Sequence, residues 1–203
     1  FDPTYWMFSM NLFMDPLFFR RFAQGSPKVV EDFAAQIPQS DWDKLEKPDF
    51  VGVNVYQGDP VEEDGSKSPI PAGFPLTATK WKVTPEVMRY GILNVYKRYA
   101  CPIYITENGL SCNDKVYLDG QVHDADRIDF LTRYLRCLSQ CIEEGVDLRG
   151  YLQWSFLDNF EWSSGYSERF GIVYVDYATG QRIPKDSARW YRQVIQSNGE
   201  NLK

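Results

Sequence analysis

Three short apolar runs, separated by stretches of helical periodicity, constrain the fold of this chain more than any other feature. The runs are Asp49–Tyr56 (DFVGVNVY), Cys101–Glu107 (CPIYITE) and Leu148–Ser155 (LRGYLQWS). The first two are nearly continuous in Val, Ile, Tyr and Phe, as strands covered on both faces tend to be. Between them, Thr84-Pro85 reads as a cap followed by Pro at the first helical position. Met88, Ile92, Val95, Tyr96 and Tyr99 follow at helical spacing. Before the third run, Ile128, Leu131, Leu135, Leu138 and Ile142 form one stripe that Gly145 ends. Asp186 to Ile195, with Trp190, Val194 and Ile195, predicts a last amphipathic helix. Pro27 opens an early one that carries Val29, Val30, Phe33 and Ile37. Strand and helix in alternation predict βαβ units and a parallel sheet. Gly171–Asp176 and the turn Tyr177-Ala178-Thr179-Gly180 predict a small hairpin after the third strand. The segment Gln57 to Thr79, rich in Gly, Pro, Ser and charge, follows the C-terminal end of a strand, where barrel enzymes build active-site loops. No repeat, low-complexity tract or linker divides the chain.

Composition excludes several function classes. The 203 residues carry 22 Lys+Arg against 28 Asp+Glu, a net charge of −6. A general nucleic-acid binder needs a basic surplus, so none is expected. No apolar run approaches the roughly 20 residues of a membrane-spanning helix, so no membrane partner is expected. No signal peptide opens the chain, and its start at Phe1 rather than Met suggests a processed or partial chain. Cys101, Cys112, Cys137 and Cys141 show no C-x-x-C spacing and read as reduced, partly buried thiols of a cytoplasmic protein. No Asn-x-Ser/Thr sequon occurs. The single histidine, His123, lies in loop sequence before a helix, where a structural role is more economical than a catalytic or metal-binding one. Neither metal nor cofactor is expected.

Chemistry concentrates at the strand ends. The first run ends in Asn54-Val55-Tyr56. The second ends in Thr106-Glu107-Asn108-Gly109, a carboxylate at the strand tip before what reads as a sharp Asn-Gly turn. The third ends in Gln153-Trp154-Ser155 and leads into Asp158-Asn159-Phe160-Glu161-Trp162. In a parallel barrel such ends converge on the catalytic face. A carboxylate among Tyr and Trp suits carbohydrate, because aromatic faces stack on sugar C–H faces while carboxylates and amides bind hydroxyls. On pattern alone, Glu107 as an N-cap or a salt-bridge partner is as good a reading.

Ile103-Tyr104-Ile105-Thr106-Glu107-Asn108-Gly109 resembles the nucleophile motif of glycoside hydrolase family one, the β-glucosidase family. Asp49–Tyr56 resembles that family's sixth strand, and Tyr151–Asp176 its long C-terminal signature. The order of segments follows the family from about Met14-Asp15-Pro16-Leu17-Phe18 to Ile195, whereas Phe1–Asn11 and Arg20–Pro27 match it poorly. The resemblance implies an α/β fold: residues 1–203 as the C-terminal part, about strands 6 to 8 with flanking helices, of a single (β/α)8-barrel domain. It implies a retaining β-glycosidase with Glu107 as the nucleophile. Tyr56 would hydrogen-bond Glu107, with Asn54 in support. Trp154 would underlie the sugar, Glu161 and Trp162 would grip its hydroxyls, Phe170 would line the pocket, and Trp81 would face the aglycone. As rival readings, Glu161 could be a second catalytic carboxylate, or the whole chain a non-catalytic sugar- or partner-binding half-barrel. The Glu161-Trp162-Ser163 sequence resembles members that act on unphosphorylated β-D-glucosides or related oligosaccharides.

A retaining glycosidase needs a second carboxylate about 5–5.5 Å from the first. The family carries it in an upstream Asn-Glu-Pro motif, and no Asn-Glu dipeptide occurs in these residues. A whole barrel takes about 250 residues or more. The expected partner is therefore the complementary N-terminal half of the barrel, or self-association.

Overall fold

The computed structural model describes residues 7–22 and 26–202. The chain divides into two units: residues 1–51 with 59–69, and residues 52–58 with 70–203.

The first unit is helical in short pieces: a π-helix at Met7–Met14, then α1 (Asp15–Phe19), α2 (Lys28–Ala34) and α3 (Gln39–Asp43). Pro27 and Pro38 stand immediately before α2 and α3, where a missing N–H costs nothing. The helix expected after Pro27 ends before Ile37, and it leaves Val29 and Phe33 exposed. The Phe22 ring meets Phe33 and Trp42 edge-on, at 6.4 and 6.0 Å.

The second unit holds the sheet. Strands β1 (Val51–Asn54), β2 (Ile103–Asn108) and β3 (Leu148–Gln153) lie in that order, and β2 pairs with β3 in parallel. Helix α4 (Val87–Tyr99) connects β1 to β2, and α5 (Ala125–Glu143) connects β2 to β3. Met88 and Ile92 of α4 pack with Ile103 and Ile105 of β2 and with Phe130, Leu131, Tyr134 and Leu138 of α5 in one core. Beyond β3, the hairpin β4 (Val173–Val175) and β5 (Arg182–Pro184) is antiparallel, and α6 (Asp186–Gln196) follows.

Three expectations change. Thr84 does not cap α4, which is preceded by Glu86; its Oγ1 accepts the Gly58 N–H at 2.8 Å and so ties down the loop after β1. The buried stripe of α5 runs through Arg127, Leu131, Tyr134, Leu138 and Cys141, which leaves Ile142 54% exposed one position off the face. Ile195 likewise points outward from α6, and Val194 is the buried residue. All four cysteines are free thiols.

Candidate active site

β2 brings Glu107 to the C-terminal end of the sheet at an irregular step. Ile105 pairs with Tyr151 but Asn108 pairs with Gln153, so three steps along β2 match two along β3, and Thr106-Glu107 bulges. A bulge re-aims the side chain it carries. Tyr56, just past β1, donates its phenol hydrogen to Glu107 Oε2 at 2.6 Å. Burial, and then that hydrogen bond, push the Tyr56 phenol far above its ordinary pKa, so it stays a donor through the physiological range. The Tyr56 carbonyl accepts from Tyr134 Oη at 3.1 Å, and Tyr134 Oη accepts the Thr84 N–H at 2.9 Å. The two bonds hold the strand end against α5.

Rings wall the carboxylate. Tyr56 meets Trp81 at 5.2 Å and Phe170 at 6.3 Å, and Trp81 and Phe170 lie 5.8 Å apart. Trp154 starts the chain's departure from β3 through a cis peptide to Ser155, and its N–H donates to the Asn108 carbonyl at 2.7 Å. Glu161 lies near enough to Trp154 and Glu107 for both to act on its carboxyl. Burial raises the Glu161 pKa; Trp154 opposes that rise, and the negative charge of Glu107 adds to it. Thus Tyr56, Trp81, Glu107, Trp154, Glu161 and Phe170 gather in one place.

Two expected residues stand apart. Asn54 is exposed, and its Oδ1 accepts from Thr106 Oγ1 at 2.7 Å, so it contacts the residue before Glu107. Trp162 is 82% exposed and holds a left-handed φ of 41° in the turn Trp162–Ser164, with its ring out in solvent. The expected Asn-Gly turn is also absent: Asn108 is the last residue of β2 and fully buried. Gly109 is needed for a close approach instead, since a Cβ there would overlap the Trp154 carbonyl oxygen.

Beneath the site lies an ionic cluster that the apolar pattern did not reveal. Asp158 Oδ1 accepts from Lys185 at 2.8 Å and from the Gly171 N–H at 3.0 Å, and its Oδ2 accepts from Arg169 at 2.6 Å. Lys185 and Arg127 both reach Asp114 Oδ2, at 2.5 and 2.7 Å. Arg127 also pairs with Asp124, which accepts both the hydroxyl and the N–H of Ser187. Three cations thus face three carboxylates, and every side chain but that of Arg169 is almost wholly buried. The cluster pins the segment from Ser155 to Val175, which carries Glu161 and Phe170, onto the N-terminal ends of α5 and α6. One sequence signal bears on it: Arg127 is a charge one turn before Phe130 and Leu131, on the buried face of α5.

His123 is bound on both ring nitrogens, Nδ1 to Asp186 at 2.6 Å and Nε2 to Asp119 at 3.0 Å, away from Glu107. Among the described residues no group of His, Cys, Asp or Glu could hold a metal ion, and no helix is long and apolar enough to cross a membrane.

A sheet with crossover helices, a bulged strand tip bearing a carboxylate, and a wall of rings around it match the C-terminal face of an α/β barrel, where enzymes of that fold place their sites. Residues 3–200 match Glycosyl hydrolase family 1, and the chain belongs to that family. The match begins well before Met14 and takes in most of Phe1–Asn11 and all of Arg20–Pro27, the two stretches expected to depart from the family. Beta-glucosidase A of Thermotoga maritima is 44% identical over 195 residues, which are 91% of this chain and 44% of that protein. A bifunctional beta-D-glucosidase/beta-D-fucosidase of Bifidobacterium breve is 35% identical over 210 residues, 91% of this chain and 46% of that protein. A solved Thermotoga maritima beta-glucosidase in complex with castanospermine superimposes with a TM-score of 0.78 at 42% identity, covering 93% of this chain and 44% of that one. The chain therefore spans less than half the length of these relatives, and its fold is a partial barrel of their kind.

Proposed function

We propose that these residues are the nucleophile-bearing portion, about strands 6 to 8, of a retaining β-glycosidase that hydrolyses terminal, unphosphorylated β-D-glucosides. One observation carries the reading: a carboxylate at a bulged strand tip holds a 2.6 Å hydrogen bond from a tyrosine that stays protonated. A binding protein has no need of that pair. Glu107 attacks the anomeric carbon, the glycosidic C–O bond breaks, and a covalent glycosyl-enzyme forms; water then releases the sugar with its configuration retained. Tyr56 aims the carboxylate, Trp81 and Phe170 flank it, and Trp154 underlies the ring. Glu161, beside Trp154, accepts from sugar hydroxyls, and Asn54 acts through Thr106. Trp162 joins the sugar only if its ring swings in from solvent. The general acid and base belongs to a portion of the barrel outside these residues, in keeping with the 44% of the relatives' length that the chain spans. That portion is also the proposed partner, since it covers the open edges of β1 and β3.

The test is complementation. The chain is combined with the upstream half of the Thermotoga maritima relative and offered 4-nitrophenyl β-D-glucoside and its 6-phosphate. The reading predicts turnover of the unphosphorylated glucoside, dependent on both halves, with a β-configured first product by NMR. Preference for the 6-phosphate overturns the substrate, and sugar binding without turnover favours a non-catalytic half-barrel.

A further inference from the structure

We infer that Asn108 is a positioning residue that holds Glu107 in its bulge by tying β2 to both neighbouring strands at once. The inference rests on the reading of Glu107 as nucleophile and concerns how it is aimed. At Thr106-Glu107 the ladder to β3 loses its regular step, so the backbone there has fewer cross-strand bonds to fix it. Asn108 supplies them from the next position. Its Nδ2 donates to the Val55 carbonyl at 2.7 Å, one residue before Tyr56. Its Oδ1 accepts from Tyr151 Oη at 2.7 Å, in the middle of β3. Its own carbonyl accepts the Trp154 N–H at 2.7 Å, and the Val55 N–H donates to the Glu107 carbonyl at 2.9 Å. The carboxamide is fully buried, so no water replaces a lost partner. One residue therefore sets the height of the Glu107 carboxylate, its side chain against Val55 and Tyr151 and its carbonyl against Trp154. The amide does both because it presents a donor toward one strand and an acceptor toward the other.

Two variants test this in the barrel assembled with its upstream portion. Asn108→Leu keeps the branched shape but removes the bonds to both Val55 and Tyr151. Tyr151→Phe removes only the second bond and keeps the ring. Each variant's crystal structure gives the Tyr56 Oη to Glu107 Oε2 separation. Labelling by 2,4-dinitrophenyl 2-deoxy-2-fluoro-β-D-glucoside, counted per reactive site, separates the inactivation rate constant from the binding constant. A merely structural role lowers the fraction of sites that react but not the rate of those that do. Positioning predicts that Asn108→Leu opens the pair beyond hydrogen-bond distance and slows inactivation by about tenfold or more, with binding changed by less than about threefold. Tyr151→Phe shifts both in the same direction by less and adds nothing in the double variant, as groups acting through one contact do. An unchanged separation and rate in both variants overturns the inference, as does a loss confined to the number of reactive sites. Opened geometry in a protein whose wild type takes no label leaves Asn108 in its positioning role and removes Glu107 as nucleophile.

Discussion

Replacing Asp158 by Asn should cost more than any surface charge change in this protein, because it unbalances a buried cluster. In the native chain Arg127, Arg169 and Lys185 face Asp114, Asp124 and Asp158, three charges of each sign. The Asp158 side chain is completely buried, and it receives Lys185 at 2.8 Å, Arg169 at 2.6 Å and a backbone N–H at 3.0 Å. Asparagine keeps the shape but removes one negative charge and turns an NH2 group toward a cation. Removing one partner of a buried pair costs about 3–5 kcal/mol, since the remaining charge stays in low dielectric without compensation. At about 2–4 °C per kcal/mol for a protein of this size, the unfolding midpoint falls by about 6–20 °C. Thermal and urea unfolding followed by circular dichroism measure it. Asp158→Asn combined with Lys185→Met restores neutrality and should recover a large part of the loss, because methionine fills the lysine stem's volume. A single variant within about 1 kcal/mol of the wild type, the range of exposed ion pairs, would refute the reasoning.

Gly109→Ala should destabilise by about 1–3 kcal/mol or more, since its Cβ would collide with the rigid Trp154 carbonyl. Gly91→Ala, inside α4 with only a Val87 methyl at 3.6 Å, should stabilise by about 0.5–1 kcal/mol; opposite signs in paired chemical denaturations check both. His123, bound by Asp186 and Asp119 with Arg189 alongside, has a pKa raised from 6.5 by those carboxylates. Because its folded value lies above its unfolded one, its contribution is complete below about pH 6.5 and is lost as pH rises through the folded value. The stability gap between wild type and His123→Gln should close in that window, and a gap that widens with pH would be contrary to it.

The strands and crossover helices were legible because both periodicities are strong where one face meets a core: Val51, Ile103 and Ile105, or Leu131 and Leu138, are buried as their spacing demands. Glu107, Tyr56, Trp81 and Phe170 could be named because a resemblance placed them; nothing in the local sequence distinguishes the 2.6 Å bond between residues 51 apart. Thr84 misled because a Thr-Pro pair carries the same local chemistry whether the hydroxyl caps a helix or, as here, binds the Gly58 N–H. Asn108 misled for a similar reason. Asn-Gly favours tight turns, yet here burial and two interstrand bonds keep the Asn in the strand. The Asp158 cluster escaped because its members lie up to 71 residues apart, as Lys185 and Asp114 do, and charge partners have no period.

Covalent trapping tests the central claim most directly. After incubation of the assembled barrel with 2,4-dinitrophenyl 2-deoxy-2-fluoro-β-D-glucoside, intact mass and peptide mapping should place one fluoroglucosyl group on Glu107, stoichiometric with dinitrophenolate released. A Glu107→Gln chain should take none. Label on Glu161, or no label in a folded barrel that binds the sugar, would contradict the assignment of Glu107 as nucleophile.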